Sequence, residues 1–201
     1  MVTVINASFY GGDKNIAKVV NQPQYEGVEY ILYTNKPEEA EGTSWRVEEM
    51  QTSTPRLTAR DIKVNIHKYA PNSEYWLWID SNMEVKVDPN ELVKTYLHNH
   101  DICLMPHPER NNWYEEANFL VQRDETFLDP VQSLFNVIGA EGHLPISLYE
   151  TGVLLRRNTQ QIQTFSSYWW EMVSTKCIRD QLSFPYAAWK AGLAVIRCRL
   201  Q

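Results

Sequence analysis

The 201-residue sequence predicts a single α/β domain with a mostly parallel central sheet covered by helices. Three observations carry that expectation. Short β-branched or wholly apolar runs alternate with stretches whose apolar residues recur every three or four positions. The run Tyr75-Trp-Leu-Trp-Ile79 is apolar on both faces of a strand, as expected at the centre of a covered sheet. With 43% hydrophobic residues the chain can bury one substantial core but is short for two.

Taken in order, Val2-Thr-Val-Ile-Asn-Ala-Ser8 predicts a buried strand closed at Gly11-Gly12, followed by a short helix over Asp13 to Val20. Val28 to Tyr33 predicts a second strand, closed by Thr34-Asn35-Lys-Pro37, and Trp45 to Val47 a short third. Between Leu57 and Tyr69, the residues Ala59, Ile62, Ile66 and Tyr69 share one helix face, and Pro71-Asn-Ser73 ends that helix. The apolar run to Ile79 is interrupted by Asp80-Ser-Asn82, after which Met83 to Val87 resumes with the alternation of a strand. Asp129-Pro130 reads as the N-cap and first-turn proline of a helix with Val131, Leu134, Phe135 and Ile138 on one face and Gly139 as its stop. Gly152-Val-Leu-Leu155 predicts a further buried strand. Ile162, Phe165, Trp169 and Met172 form another helical stripe, and Gln181 to Ala191 a last helix, capped by Asp180 and ended by Gly192.

The net charge of −6 lacks the basic field that non-specific binding of nucleic acid or anionic membrane requires, so any phosphate must meet a local cluster. Cys103, Cys177 and Cys198 are odd in number, far apart and without metal-type spacing. They read as reduced thiols of a cytoplasmic protein, and zinc is not expected. No apolar run reaches the length of a membrane span. The end at Ile196-Arg-Cys-Arg-Leu-Gln201 has no helix stop or polar tail, so residues 1–201 read as one domain at the N-terminal part of a longer polypeptide.

The sharpest chemical feature is Asp80-Ser-Asn82 at the end of the most apolar strand. Ligands of open α/β sheets gather where central strands end, and oxygen ligands two residues apart in a turn can face one hard cation. A strand-terminating Asx turn would have the same sequence. Arg56, Arg60, Lys63 and His67 are spaced four, three and four, which lines them along one helix face as counter-charge for a nucleotide diphosphate or as plain polar surface. On either reading the stripe lies on the polar side of its helix, so replacing Arg60 or Lys63 is expected to leave stability almost untouched. His107-Pro-Glu-Arg110 with Trp113, Glu115 and Glu116 gathers imidazole, guanidinium and carboxylates, or marks a helix N-terminus complemented by acids. Glu150-Thr-Gly152 precedes a buried strand where glycine allows a ligand close to the backbone, and Arg179-Asp-Gln181 opens the last helix. Of the seven Trp and eleven Tyr residues, Tyr10, Tyr33 and Trp113 lie beside strand-end loops, where a ring can stack on a sugar or base.

Together these features resemble the GT-A (Rossmann-like) class of nucleotide-sugar glycosyltransferases. Glu150-Thr-Gly-Val-Leu-Leu155 and Asp180-Gln-Leu-Ser-Phe184 are similar to two motifs of glycogenin-like enzymes. A family of predicted glycosyltransferases from plants, bacteria and large algal viruses is more similar still, through Ala59-Arg60 with Lys63, Trp78-Ile-Asp80-Ser-Asn82, His107-Pro-Glu-Arg110, Tyr114-Glu-Glu-Ala117, Glu150-Thr-Gly-Val153 with Arg156, and Arg179-Asp-Gln-Leu-Ser-Phe184. The resemblance implies that Asp80 and Asn82 hold Mn²⁺ or Mg²⁺ on the diphosphate, with Ser81 beside them. It further implies that Ala7, Tyr10, Tyr33 and Thr34 surround a uracil nucleotide, that Arg60 and Lys63 contact phosphates, and that Asp180 and Gln181 meet the donor sugar while Glu150 faces the acceptor. Two positions depart from the pattern: the metal motif is Asp-x-Asn, and no His follows residue 143, so the late metal ligand would be either His107 or a residue beyond Gln201. The activity implied is transfer of a hexose or deoxyhexose, such as glucose or rhamnose, from a UDP-sugar to a glycan or glycoprotein hydroxyl with retention. A metal-dependent nucleotidyltransferase or phosphoesterase, and a non-catalytic carbohydrate-binding module, are the alternative readings.

Overall fold

The computed structural model describes residues 1–11, 19–143 and 147–198. The helix expected over Asp13 to Val20 therefore falls almost entirely outside the described residues.

Seven strands form one sheet in the order β3-β2-β1-β4-β6-β5-β7. The strands β1 (Val2–Ser8), β2 (Val28–Thr34), β3 (Arg46–Glu49) and β4 (Tyr75–Ile79) run parallel, as expected. The strand β6 (Tyr149–Arg157) is inserted antiparallel between β4 and β5 (Ile102–Pro106), and β7 (Ile196–Arg197) pairs parallel with β5. The sheet is thus mixed but mostly parallel. The both-face apolar run of β4 lies at its centre, sending Trp76 and Trp78 into one core and Leu77 and Ile79 into the other.

The first core packs β1, β2, β4, β5 and β6 against α1 (Pro55–Val64), α6 (Gln160–Thr175) and α7 (Asp180–Lys190). The predicted stripe Ile162, Phe165, Trp169 and Met172 is the buried face of α6. The second core lies across the sheet beneath α3 (Pro89–Tyr96), Trp45 and Ala40. A third cluster joins α4 (Trp113–Arg123) and α5 (Leu128–Ala140) to the far side of α6 and α7. No helix among the described residues is long and apolar enough to cross a membrane.

Several local expectations are corrected. The helix from Leu57 to Tyr69 is broken at Asn65, whose side chain donates to Asp61 Oδ1 (2.6 Å), leaving the short α2 (Ile66–Tyr69) beyond it. Met83 to Val87 is no strand despite its alternation, because the buried side chain of Gln22 stands in for a strand partner. Gln22 donates to Met83 O (2.9 Å) and accepts from Val85 N–H (2.9 Å). Asp129 does not cap α5: a 3-10 turn over Glu125–Phe127, capped by Asp124, runs straight into the helix and places Asp129-Pro130 inside its first turn. Gly139 is helical, and the chain reverses at Gly142, whose φ of +74° is open to glycine. The cysteines are not three free thiols: β5 and β7 bring Cys103 and Cys198 together as a disulfide, leaving only Cys177 unpaired and buried.

Candidate active site at the ends of the central strands

The topology brings the ends of β1, β2, β4 and β5 and the start of β6 to one edge of the sheet. Asp80 directly follows β4, and its backbone N–H donates to Gly152 O (2.8 Å), extending the β4–β6 ladder by one bond. Asp80 Oδ1 accepts the Trp78 indole N–H (2.8 Å) and lies 3.7 Å from Lys63 Nζ. Asn82 is exposed in the turn that follows, and Ser81 offers its carbonyl to Val20 N–H.

The register of β5 on β6 jumps from Leu104↔Leu154 to Met105↔Glu150, so Thr151, Gly152 and Val153 bulge out of that pairing. Bulges of this kind re-aim side chains at sheet rims. Here the bulge turns the Thr151 hydroxyl onto Asp180 Oδ2 (2.9 Å) and folds Glu150 Oε1 back onto Gly152 N–H (2.8 Å). Glu150 Oε2 then accepts the Gln181 side-chain amide (3.3 Å), and the buried Gln181 Oε1 has no partner among the described residues. A Cβ added at Gly152 would lie 2.7 Å from Met83 Cε, 3.0 Å from Glu150 Oε1 and 3.4 Å from Asp80 Oδ2. Gly152→Ala is therefore expected to cost about 1–3 kcal/mol of stability through overpacking and to displace Glu150. Urea unfolding checks it, and a midpoint equal to wild type would show that Met83 simply swings aside.

Asp180 is not an N-cap. It is the first residue of α7, with Arg179 before it, and its carboxylate is used elsewhere. Lys63 Nζ lies 2.7 Å from Asp180 Oδ2 and 3.7 Å from Asp80 Oδ1, and Arg60 Nε lies 3.2 Å from Asp180 Oδ1. Lys63 and Asp180 are each only 1% exposed. Burial alone would raise the Asp180 pKa, but Arg60, Lys63 and Arg179 overcome it and hold the carboxyl well below the usual range. The basic stripe is thus split. Arg60 and Lys63 enter the site, Arg56 stays exposed over the Phe127 ring (5.6 Å), and His67 is held neutral by burial and Lys68. Lys63 is not on a polar face, so it cannot be removed without consequence for stability.

The predicted nucleotide-side residues divide in the same way. Ala7 is the penultimate residue of β1, partly buried, and Tyr10 is fixed by two bonds with Asn35, accepting Asn35 Nδ2–H at its carbonyl (2.7 Å) and donating its N–H to Asn35 Oδ1 (2.7 Å). The Lys36 ammonium sits 5.1 Å from the Tyr10 ring centroid. Tyr33 is core: its hydroxyl donates to Tyr69 O (2.9 Å) and burial raises its pKa. Thr34 is buried, its Oγ1 accepting Lys36 N–H (3.1 Å). Trp113 is also core, donating to Leu182 O (2.7 Å), so its ring is unavailable for stacking.

Three further groups join the site; the sequence gathered His107 and Glu116 in one cluster without tying them to Glu150 or Arg179, and assigned Thr151 no role of its own. The three are Thr151, His107, whose Nε2 is 3.9 Å from Glu150 Oε2, and the fully buried Glu116, which holds Arg110 and Arg179 at once. Their types were visible, but their convergence depends on the β6 bulge and on α4 packing against α7.

The fold is one that solved glycosyltransferases also have. Mouse xyloside xylosyltransferase 1 shares it, with a TM-score of 0.55 at 9% identity over 97% of this chain and 84% of that one. The bifunctional glycosyltransferase WbbM matches with a TM-score of 0.51 at 13% identity over 99% of this chain and 39% of that one. The chain belongs to the TOD1/MUCI70 glycosyltransferase-like domain family, whose model matches residues 38–197. Two Arabidopsis thaliana relatives are similar to it. The probable hexosyltransferase MUCI70 is 27% identical over 70% of this chain, and the alkaline ceramidase TOD1 is 23% identical over 78%. The chain spans 26% of the first relative's length and 37% of the second's.

Proposed function

We propose that this domain transfers a hexose or deoxyhexose from a UDP-sugar to a hydroxyl of a glycan or glycoprotein, with retention and with a divalent cation. The observation that carries the reading is the convergence of Asp80, the Arg60–Lys63–Asp180 cluster and the Glu150–Gln181 pair at one sheet edge of a glycosyltransferase-type fold. A MUCI70 relative named as a probable hexosyltransferase supports the sugar class.

Charge argues for the cation. Three positive groups, Arg60, Lys63 and Arg179, face three carboxylates, Asp80, Glu150 and Asp180, so the cluster is balanced by itself and a diphosphate entering it brings negative charge that this set does not offset. The Asp80 carboxylate and the exposed Asn82 amide are hard oxygen donors suited to Mn²⁺ or Mg²⁺, the remaining positions falling to diphosphate oxygens and water. Among the described residues no group of three or more His, Cys, Asp or Glu side chains is placed to hold a metal ion by itself. Bound at Asp80 and Asn82, the cation would supply Lewis-acid stabilisation of the departing diphosphate.

The chain's own groups do the rest. Lys63 and Arg60 offset charge growing on the leaving group. Asp180, ionised and immobile, presents its field to the donor sugar, and the unpaired Gln181 Oε1 accepts a sugar hydroxyl. Glu150 lies beside the incoming hydroxyl of the acceptor. A thermal-shift series with UDP and UDP-sugars, with and without Mn²⁺, tests the reading through mass-action stabilisation. The expected result is a UDP-dependent rise in melting temperature that needs Mn²⁺ and is lost in Asp80→Ala. Equal stabilisation in excess chelator would remove the metal, and stabilisation by simple glycans alone would favour a binding module.

A further inference from the structure

Gln22 lies in the irregular segment ahead of β2 and is 3% exposed. Each hydrogen of its side-chain amide and its oxygen has a partner. Nε2 donates to Val20 O (3.1 Å) and to Met83 O (2.9 Å), and Oε1 accepts Val85 N–H (2.9 Å). Only one orientation of the amide fits, because the reverse would set an oxygen against two carbonyls and an NH₂ against an N–H. A buried polar group satisfied in this way rigidifies what it touches.

These bonds converge on the turn that carries Asp80 and Asn82. Met83 N–H donates to Asp80 O (3.0 Å) and closes the turn on itself, and Asp80 N–H ties its incoming end to Gly152 O (2.8 Å) of β6. The outgoing end, from Met83 to Val85, is held by the Gln22 amide. In the middle, Ser81 O accepts Val20 N–H (3.3 Å), and Val20 is fixed at its own carbonyl by the Gln22 amide and by the Trp45 indole N–H (3.0 Å). Gln22 thus reaches the turn twice, directly at Met83 and Val85 and through Val20 at Ser81. None of these bonds uses a side-chain atom of Asp80, Ser81 or Asn82.

We infer that Gln22 is a positioning residue for the cation: it fixes the backbone from Ser81 to Val85 and so presets the separation of the Asp80 carboxylate and the Asn82 amide, an inference that rests on the reading of these two as the metal-holding pair. Ligands set in place beforehand bind more tightly, because the cost of ordering them falls on folding and not on binding. An apolar side chain of similar volume would fill the same space and leave Met83 O and Val85 N–H without this partner.

Gln22→Met tests it, since methionine keeps the length and much of the volume but none of the three bonds. Leu134→Ala, at a 0% exposed position in the third cluster, is the comparator for lost stability alone. Amide hydrogen exchange is read first, without ligand. Val20 and Met83 N–H do not touch Gln22 themselves, so their exchange reports on the turn. In Gln22→Met both should exchange about tenfold faster or more, the equivalent of one lost hydrogen bond, whereas in Leu134→Ala they should change no more than the amides of β1. Mn²⁺ binding is read second, from free Mn²⁺ by electron paramagnetic resonance in excess UDP. Gln22→Met should bind Mn²⁺ about tenfold to a hundredfold more weakly, the range for groups that orient metal ligands from outside the coordination shell, with Leu134→Ala at wild-type affinity. Unchanged exchange at Val20 and Met83, wild-type Mn²⁺ affinity in Gln22→Met, or an equal loss in Leu134→Ala overturns the inference. If Gln22→Met does not fold, Gln22→Glu replaces it: an oxygen remains for Val85 N–H while the donors to the two carbonyls are lost, so Val85 should stay protected and Val20 should not. If the wild-type chain binds no Mn²⁺ with UDP, the proposed function fails by itself, and the exchange of Val20 and Met83 still decides whether Gln22 holds the turn.

Discussion

Asp180→Ala lowers the unfolding free energy by about 3–5 kcal/mol, the usual cost of stranding one member of a buried ion pair. The partner left behind is Lys63, 1% exposed and 3.7 Å from the remaining carboxylate of Asp80, too far for a direct hydrogen bond. Arg60 loses the same partner but is 18% exposed at its side chain and can turn to water, so its share of the cost is small. Lys63→Met alone should be comparably harmful, because it leaves Asp180 buried with only Arg60 and Thr151 to satisfy it. Combined with Asp180→Leu it should recover much of the loss, since an apolar pair of similar volume avoids desolvating either charge. Urea unfolding of the singles and the double closes the cycle, and single variants within about 1 kcal/mol of wild type would mean that water reaches the pair.

The same carboxylate sets an acid limb. The Asp180 pKa is depressed in the folded protein, so its contribution is fully present above the unfolded carboxylate value of about 3.9 and is lost as pH falls through the folded value. Between about pH 4 and pH 2 the wild type should therefore lose stability more steeply than Asp180→Asn, which has no proton to take up at that position. Parallel acid limbs for the two proteins would remove Asp180 from this role.

How far the sequence could show this depended on the source of each interaction. β1, β2 and β4 were legible as short runs buried at nearly every position, α6 by its apolar residues recurring every three or four positions, and α7 by the glycine at its end. β5 and β7 were not: five and two residues long, they are strands only because β6 and each other complete their hydrogen bonds. Met83 to Val87 has the alternation of a strand, but a single buried glutamine side chain takes its backbone groups. At the site, Asp80, Glu150, Asp180 and Gln181 were readable as polar residues interrupting apolar elements. The burial of Lys63 was not, because a stripe spaced three and four apart reports which residues share a face and is silent on which partner arrives from the far end of the chain. Glu116 looked like an acid complementing the first turn of α4, and only the docking of α4 against α7 reveals that it holds two arginines.

Arg156→Met is expected to destabilise the fold by about 2–4 kcal/mol and to weaken UDP binding in the protein that remains folded. Arg156 is 0% exposed on β6 and has no carboxylate partner among the described residues; burial brings its pKa down to about 9, so it stays charged at neutral pH. Its guanidinium donates to Lys63 O (2.6 Å) and Val64 O (3.3 Å). These carbonyls end α1, where the break at Asn65 leaves helix-terminal acceptors without their next-turn donors. A cation at a helix C-terminus is favoured by the macrodipole, so a strand side chain does here what a local cap would do elsewhere. Methionine fills much of the volume but leaves two buried carbonyls unpaired, which is where the loss arises. Arg156→Lys should recover only part of it, because one ammonium cannot bridge two carbonyls as a planar fork does. Since one of the two carbonyls belongs to Lys63 itself, loosening this cap frees the residue that joins Asp180 to Asp80, and affinity for UDP should fall with stability. An Arg156→Met protein as stable as wild type would show that the cost of burying the guanidinium cancels what the two bonds return, and unchanged UDP affinity in it would separate the end of α1 from the site.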